Sequence, residues 1–375
     1  MQPSARNRAW AATMAGHRAD QARDVVIAHD GPTPTVAGAR ILDRAAREAA
    51  QEGVLAAGAT RAVGVGNRAR PEQPDPERTC FERDRDRIVH STAWRRLAGK
   101  TQVFVFPADH QRTRLTHALE VAQVATSVAR AIGLNVALTE AIALGHDCGH
   151  GPGGHASEDA FDSFLAEGFD HAVWGGVVLE PLNLCRETLD GVRNHSWSRP
   201  APATPEGEVV SWADRCAYSA HDLEDAIGAG VVTAAELPGV VRDSCGTTRS
   251  SQLSTFIGAL VHCSRGTGVI GMRPDVAASL AALRAFNYER IYSRAESLRQ
   301  GSAVIAVLRA LVEHYAERPR DLPEPADADP GTDAAVRAAV GYVAGMTDRF
   351  AFTAARTLLR WDPGALPRGI DTPPA

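Results

Sequence analysis

Apolar residues recur at helical spacing along most of this chain. Within the charge-rich segment 82–97, Val89, Ala93 and Leu97 recur at intervals of four residues. Residues three or four apart share one face of an α-helix, so this pattern predicts an amphipathic helix. Similar spacing predicts further helices over 40–55, 114–132, 140–145, 157–167, 172–184, 208–228, 253–262, 275–298, 302–315 and 332–360. The predicted fold is therefore all-α, with helices packed on helices and little or no sheet.

Proline-rich segments divide the chain. Three prolines between positions 71 and 76 interrupt regular structure, because proline lacks a backbone donor and fixes its own φ angle. The apolar run over 101–106 predicts a short strand or an extended link. The resulting parts are an N-terminal extension, partly helical or flexible, over 1–80, a helical core over 81–235, a C-terminal helical part of the same globular unit over 236–362, and a flexible tail over 363–375.

The composition excludes several classes of protein. Of the 375 residues, 44% are hydrophobic and 6% aromatic, and the formal net charge is −5. This is too apolar for a disordered chain, and a general polyanion binder is normally basic. We expect no membrane span, because no apolar run approaches the roughly 20 residues that a span needs. The six cysteines form no CxxC pair, which favours a reduced, cytoplasmic setting.

Histidines concentrate in the centre of the sequence. Of the 13 histidines, seven lie between positions 110 and 195, and three of these are in the segment GHDCGHGPGGH over 145–155. In that segment His146 and Asp147 end an apolar helix, and the glycines that follow allow a tight turn. An adjacent histidine and aspartate offer an imidazole and a carboxylate, but they cannot satisfy a metal ion alone. Further ligands are expected from other helices.

Two residues complete a candidate ligand set. His117 lies upstream, at the start of the preceding helix, and Asp214 lies downstream, in the helix over 208–228. Two histidines and two carboxylates form a mixed nitrogen and oxygen set that suits Mn²⁺, Fe, Ni²⁺, Co²⁺ or Zn²⁺, with Mg²⁺ possible if several waters remain. We therefore expect one divalent metal ion per site and leave its identity open.

The order of these residues resembles the H…HD…D signature of the HD phosphohydrolase superfamily. Five segments also resemble, in order, its deoxyguanosine triphosphate triphosphohydrolase-like group: RDRDRIVHSTAWRRLAGKTQVF (83–104), RTRLTHALEVAQVA (112–125), GHDCGHGPGGHASEDAF (145–161), ADRCAYSAHDLEDAI (213–227) and FNYERIY (286–292). The resemblance spans 81–350. It implies an HD-domain helical bundle, with 81–235 as the catalytic core and additional C-terminal helices. It also implies hydrolysis of deoxynucleoside triphosphates (dNTPs), dGTP first among them, to deoxynucleoside and inorganic triphosphate, with water attacking the α-phosphate.

The resemblance assigns roles to the residues nearest the reaction. The implied metal ligands are His117, His146, Asp147 and Asp214. His155 and Glu158 match the family's histidine and glutamate pair, in which Glu158 orients His155 for proton transfer to the leaving 5′ oxygen. We therefore expect His155 and Glu158 to be the catalytic pair.

A second group is expected to bind the substrate. It comprises Lys100, Gln102, Arg114, His150, His171, Tyr218 and Asp222. Arg114 lies one helical turn before His117 and is the candidate phosphate clamp. Tyr218 is expected beneath the deoxyribose, where it excludes a 2′-hydroxyl, and Asp222 is expected to accept from the 3′-hydroxyl. Lys100 is the single lysine of the chain, which suggests that its position needs a compact ammonium.

The glycine-rich loop departs from the family pattern. The loop reads Pro152-Gly153-Gly154 where the family commonly has an aromatic residue after the proline, so this loop does not indicate which nucleotide is preferred.

The resemblance also implies a homo-oligomer and a possible nucleotide effector, whereas nucleic-acid binding is left undecided. The alternative functions are another HD phosphohydrolase, acting on nucleoside monophosphates or a signalling nucleotide, and a non-catalytic sensor of nucleotides or single-stranded nucleic acid.

Overall fold

The computed structural model describes residues 4–20, 25–107 and 110–369. It contains two compact units, Met1–Leu42 and Asp43–Ala375. In the smaller unit, helix α1 (Ala5–Ala12) is followed by an antiparallel pair of strands, β1 (His17–Asp20) and β2 (Val25–Ile27), in which His17 lies opposite Ile27. These two strands are the only sheet among the described residues.

The larger unit is helical. In chain order its α-helices are α2 (Arg44–Glu52), α3 (Cys80–His90), α4 (Thr92–Arg96), α5 (Arg114–Ile132), α6 (Val136–Gly145), α7 (His155–Phe161), α8 (His171–Leu179), α9 (Arg186–Arg193), α10 (Pro205–Gly228), α11 (Gly239–Cys245), α12 (Arg249–Thr267), α13 (Pro274–Asn287), α14 (Ala295–Glu317), α15 (Asp333–Ala344) and α16 (Asp348–Leu358). The prediction of an all-α protein with little sheet is therefore confirmed.

Local signals set several helix ends that matter for the site. The side chain of Asn135 accepts from the backbone N–H of Leu138 and so caps α6. Thr204 caps α10, whose first residue is Pro205, a position where the missing donor costs nothing. Helix α5 ends at Gly133, whose φ of 74° is in the left-handed region that favours glycine. The three helices that carry the candidate ligands therefore have well-defined ends.

Two apolar clusters form the core of the larger unit. The first lies among α5, α6 and α10, which pack against one another, and includes Val128, Ile142 and Val210. The second lies beneath α14, α15 and α16 and includes Leu311 and Val340. The chain passes from the first cluster to the second between Cys148 and Ala160. The glycine-rich segment that follows the His-Asp pair is thus one of the crossings between the two parts of the core.

Four predicted segments are divided or replaced in the structure. The helix predicted over 332–360 is divided into α15 and α16 by residues 345–347, where the hydroxyl of Thr347 caps α16. The helix predicted over 82–97 is divided at Ser91, whose extended backbone ends α3 and whose hydroxyl caps α4. The helix predicted over 275–298 ends at Asn287 and is followed by a single π turn, Tyr288–Tyr292, before α14. Residues 101–106 form bends, apart from an isolated bridge between Thr101 and Thr113. Helical spacing did not reveal these breaks, because the apolar pattern continues across them.

The ends of the chain bear on the predicted domain limits. Ala59 and Ala62 belong to the first apolar cluster, so part of the segment assigned to the extension contributes to the core. At the other end, Pro363–Ala365 form a short 3₁₀ helix, and residues 370–375 of the predicted tail lie outside the described residues. Within the described ranges, none of the helices has the length and apolarity that crossing a bilayer requires. The six cysteines, all of them described, are free thiols.

Candidate active site

Three helical segments bring the predicted metal ligands together. His117 lies in the first turn of α5, and His146 and Asp147 follow directly after the last residue of α6. Asp214 is near the middle of α10, which packs against both α5 and α6. The side chains of His117, His146 and Asp147 are almost fully buried. Because α5, α6 and α10 share one apolar core, their packing also fixes the positions of the four polar side chains.

The ligand atoms lie within a few ångströms of one another. Nε2 of His117 is 3.0 Å from Oδ1 of Asp214 and 3.8 Å from Oδ2 of Asp147. Nε2 of His146 is 3.4 Å from Oδ1 of Asp147 and 3.6 Å from Oδ1 of Asp214. Two imidazoles therefore face two carboxylates around one point. The structure brings together all four residues that the sequence singled out.

The orientation of His146 indicates that this group fits a cation. Its Nδ1 is 2.7 Å from the carbonyl oxygen of Ala143 and must donate to it, since a carbonyl only accepts. In the neutral ring, Nε2 is then unprotonated and points at two carboxylates. Among the described residues this buried nitrogen has no hydrogen-bond partner. An unprotonated imidazole nitrogen beside two carboxylates is an arrangement that a divalent metal ion satisfies.

The electrostatics of the site lead to the same conclusion. Burial opposes a charge on His146, but the carboxylates of Asp147 and Asp214 outweigh it and raise the pKa of His146 to about 9. Burial also opposes ionisation of the two aspartates, yet neighbouring groups, His146 among them, hold the pKa of each carboxyl well below its usual value. The protein thus keeps two buried negative charges that require a positive partner, either a proton or a metal ion.

Arg114 is held against this group. Its Nη1 donates to Oδ2 of Asp147 at 2.7 Å, and its side chain is buried. Its Nε and Nη2 atoms are buried and have no partner within the described part of the chain. Two unused donors on a fixed guanidinium suit an anionic oxygen such as that of a phosphate. This geometry is compatible with the predicted clamp.

A second group of polar residues surrounds the glycine-rich turn. Oε1 of Glu158 contacts Nδ1 of His171 and also accepts from the backbone N–H of His171 at 3.2 Å. Nε2 of His171 is 3.2 Å from Nε2 of His195, whose Nδ1 donates to the carbonyl of Val192. A hydrogen-bonded path therefore runs from Glu158 through His171 to His195. The ring of His195 in turn lies edge-on to His146, with centroids 4.9 Å apart.

His155 is placed differently from the other histidines. Its side chain is 75% exposed, and its Nδ1 is 3.7 Å from Oε2 of Glu158, which is longer than a hydrogen bond. Glu158 makes its shorter contact with His171, so the predicted orienting contact to His155 is loose in this structure. Burial opposes a charge on Glu158, but its interactions with the imidazoles of His155 and His171 outweigh burial and lower the pKa of Glu158 below the usual range. The glutamate is therefore anionic at neutral pH.

Two further predicted contacts, Tyr218 and Asp222, lie on α10 beyond Asp214. Tyr218 accepts a hydrogen bond from Nε of Arg284 at 2.6 Å. Asp222 accepts from the hydroxyl of Tyr292, and its other oxygen is buried without a partner among the described residues. Burial, opposed in part by that hydroxyl, raises the pKa of Asp222 to about 7. Gln102, Tyr218 and Asp222 all line the same cavity as the predicted metal ligands His117, Asp147 and Asp214.

The structure places one predicted substrate contact, Lys100, in the interior of the protein and outside the cavity. Its side chain is buried, at 3% exposure, and does not line the cavity described by the structure. Its Nζ donates to the backbone carbonyls of His150 and Ala344, and burial lowers the pKa of Lys100 to about 8. The structure therefore corrects the prediction that Lys100 contacts the substrate directly. The ammonium instead ties the turn that carries His150 to the end of α15.

The cavity has a volume of about 1340 Å³ and is lined by aromatic and basic groups that sequence reasoning missed. Arg215 lies 3.4 Å above the ring of Trp197, which is edge-on to Trp212, and Arg284 lies beside Tyr218. Arg215 directly follows the predicted ligand Asp214, and this adjacency was the one feature of the sequence that could have indicated its place in the cavity. No feature of the sequence indicated Arg284, because α13 lies against α10 only in the folded protein.

Family comparisons identify the class of this arrangement. The model of the HD domain matches residues 114–219, which contain His117, the His146–Asp147 pair and Asp214. A phosphohydrolase-associated domain matches residues 270–357. The protein is thus an HD-domain phosphohydrolase, a hydrolase of a class that binds divalent metals.

Relatives that align with 76% of this chain define the family more closely. A deoxyguanosinetriphosphate triphosphohydrolase-like protein from Caldanaerobacter subterraneus subsp. tengcongensis is 40% identical over 76% of this chain and 86% of its own. Proteins of the same name from Clostridium perfringens and Desulfatibacillum aliphaticivorans are 37% and 39% identical, again over 76% of this chain. The chain belongs to this deoxyguanosinetriphosphate triphosphohydrolase-like family. Self-association and a nucleotide effector stay predictions.

Proposed function

We propose that this protein is a metal-dependent dNTP triphosphohydrolase that converts a deoxynucleoside triphosphate, dGTP first among them, to the deoxynucleoside and inorganic triphosphate. The observation behind the proposal is the convergence of His117, His146, Asp147 and Asp214 on one point. All of them except His146 line a cavity of about 1340 Å³. Membership of the triphosphohydrolase-like family supports the choice of substrate class.

The four converging residues are proposed to hold one divalent ion. Such an ion, when bound, polarises a phosphate oxygen and lowers the pKa of a water molecule. Asp147 has a further role, since it also accepts from Arg114 at 2.7 Å. That contact fixes the guanidinium and leaves two of its nitrogen donors available for the α-phosphate.

Basic residues of the cavity are proposed to offset the charge of the triphosphate. Arg114, Arg215 and Arg284 all line it. A cationic clamp in a partly buried cleft stabilises charge that develops during attack on phosphorus more strongly than it does in water. Arg215 is supported from below by the ring of Trp197, and Arg284 by the hydroxyl of Tyr218. The two arginines are therefore held in place before substrate binds.

Proton transfer is proposed to use the residues beside the glycine-rich turn. His155 is exposed, lines the cavity and is free to approach the leaving 5′ oxygen. Glu158 lies between His155 and His171 and carries the negative charge that favours a protonated imidazole. We propose that His155 delivers the proton to the leaving group and that Glu158 and His171 position it. The carboxyl of Asp222 is proposed to meet the 3′-hydroxyl, above Tyr218.

A panel of nucleotides tests the proposal. Each of the four dNTPs, and GTP as the ribose control, is incubated with the protein and Mn²⁺ or Mg²⁺, and the products are separated by ion-exchange chromatography. We expect deoxynucleoside and intact triphosphate in equal amounts. Monophosphate with pyrophosphate, or stepwise release of phosphate, contradicts the proposal. Turnover of nucleoside monophosphates alone indicates another HD phosphohydrolase, and tight binding without hydrolysis under every metal indicates a sensor.

A further inference from the structure

A group of potential ligands lies beside the proposed metal site and shares no residue with it. His150, His155, Glu158 and His171 each offer one ligand atom, and these atoms all lie within 4.8 Å of one another. We call these four residues the histidine-glutamate cluster. We propose that the cluster is a second metal site, which takes Zn²⁺ or a similar transition-metal ion in preference to Mg²⁺ and inhibits the enzyme when it is filled.

The chemistry of the donors favours zinc. Three imidazole nitrogens and one carboxylate oxygen form a four-member set of the kind that Zn²⁺ accepts in a tetrahedral arrangement. Mg²⁺ prefers oxygen ligands in a near-octahedral shell and keeps several waters. Glu158 supplies one negative charge, and the three histidines bind in their neutral form. The cluster therefore discriminates between the two ions by ligand type.

Most of the cluster is already assembled. Glu158 contacts Nδ1 of His171 and accepts from its backbone N–H, so that both groups are fixed relative to each other. The ring of His150 stacks on that of His171, with centroids 3.8 Å apart and an angle of 15° between the planes. The turn and the start of α8 thus hold three of the four residues side by side before any ion arrives. Because the lone pairs of stacked imidazoles run nearly parallel, one of the two rings must rotate for both to bind a single ion.

An unsatisfied nitrogen provides a second, independent observation. His150 is 1% exposed, and its Nε2 is 3.2 Å from Oδ1 of Asp147. Its Nδ1 is buried and has no hydrogen-bond partner among the described residues. A buried polar atom without a partner is uncommon in a folded protein and costs free energy. A cation bound in the cluster supplies the missing partner.

The fourth ligand closes the site. His155 is the exposed member, and its Nδ1 is 3.7 Å from Oε2 of Glu158. Because the side chain of His155 is exposed, a small rotation brings its Nδ1 to bonding distance of an ion in the cluster without disturbing the core. An ion enters from the cavity, which His155 and His171 both line.

The inhibitory part of this inference rests on the proposed function. An ion bound to His155 and Glu158 occupies the lone pairs that proton transfer requires. Excess Zn²⁺ is therefore expected to lower turnover at saturating Mg²⁺, whereas excess Mg²⁺ does not. In Glu158→Gln, which is expected to be slow already, the remaining turnover is expected to lose most of its sensitivity to Zn²⁺.

Metal stoichiometry, measured without substrate, tests the site itself. The metal-depleted full-length protein is dialysed against Zn²⁺, and bound zinc is counted by elemental analysis. We expect two ions per chain in the wild type and one in His155→Ala, which lacks the exposed ligand of the cluster. Asp214→Asn, which removes a ligand of the other site, is also expected to retain one. His262→Ala, an exposed histidine of α12, is the control and is expected to keep two.

The variants separate the possible outcomes. Circular dichroism establishes that each variant is folded. If the wild type takes up one ion at every zinc concentration, or if His155→Ala and Glu158→Gln both retain two, the second site is refuted. Because zinc is counted in the absence of nucleotide, this result is distinct from a failure to hydrolyse dNTPs, which would refute the proposed function instead.

Discussion

The carboxylate of Asp348 accepts a hydrogen bond from the backbone N–H of Gly153 at 2.8 Å, although 195 residues separate them in the chain. The same carboxylate accepts from the backbone N–H and the hydroxyl of Thr101. Asp348 is the first residue of α16 and is buried. One side chain of the C-terminal region therefore anchors both the glycine-rich turn and the segment that carries Gln102.

Removal of the Asp348 carboxylate is expected to destabilise the protein and to lower its turnover. In Asp348→Ala, three buried donors lose their acceptor, and each such loss costs about 1–3 kcal/mol. We expect the free energy of unfolding in urea to fall by roughly 3 kcal/mol or more. Turnover of the folded fraction is also expected to fall, since the turn carries His150 and His155. Asp327→Ala, at an exposed loop position, is the control and should leave both quantities unchanged.

Gly149 is expected to tolerate no side chain. A Cβ at this position would lie 2.0 Å from the carbonyl oxygen of His171 and 2.2 Å from the backbone nitrogen of Gly175. Because both neighbours are backbone atoms, Gly149→Ala must displace α8, at a cost of about 3 kcal/mol or more. Gly258→Ala, in the interior of α12, meets nothing closer than 3.9 Å and should stabilise by up to about 1 kcal/mol. Equal thermal stability of the two variants would contradict this prediction.

Loss of one proposed ligand is expected to empty the site formed by His117, His146, Asp147 and Asp214 without unfolding the helices. We expect Asp147→Ala to lose the divalent ion of this site, counted by elemental analysis, and its dNTP hydrolysis. Asp147→Asn retains an oxygen for Arg114 and so separates the loss of charge from the loss of that contact. The far-ultraviolet circular dichroism of both variants should match that of the wild type. Asp243→Ala, exposed on α11, should keep metal and activity. Full metal occupancy in Asp147→Ala would exclude this ligand set.

The stability of the protein is expected to depend on pH through Asp222. The pKa of its carboxyl is about 7 in the folded state against a usual value of 3.8. Between these values the folded protein holds a proton that the unfolded chain has released, so the contribution of Asp222 to stability is lost as the pH rises toward 7. The side chain of the Asp222→Asn variant does not ionise, so this pH-dependent loss of stability is absent from it. Urea unfolding should show the variant gaining on the wild type between pH 4 and pH 7, with a constant difference above. A difference that does not vary with pH would show that Asp222 ionises normally.

Much of the architecture could be predicted from the local pattern. The apolar spacing over 114–132 predicts a helix over the same residues as α5, and the structure shows that this helix ends at Gly133. The all-α fold followed from the same periodicity. The division at Ser91 and the π turn at Tyr288–Tyr292 could not be predicted in this way, because the apolar pattern continues across both.

The order of histidine and aspartate residues along the chain was enough to predict a candidate ligand set, because metal chemistry restricts which side chains can act together. Tertiary structure alone decided which partners each of them has. Lys100 lies inside the protein rather than in the cavity, Glu158 contacts His171 more closely than His155, and Arg284 reaches Tyr218 from another helix. Such relationships join positions far apart in sequence. They are set by how the helices bury their apolar faces, and no local pattern records them.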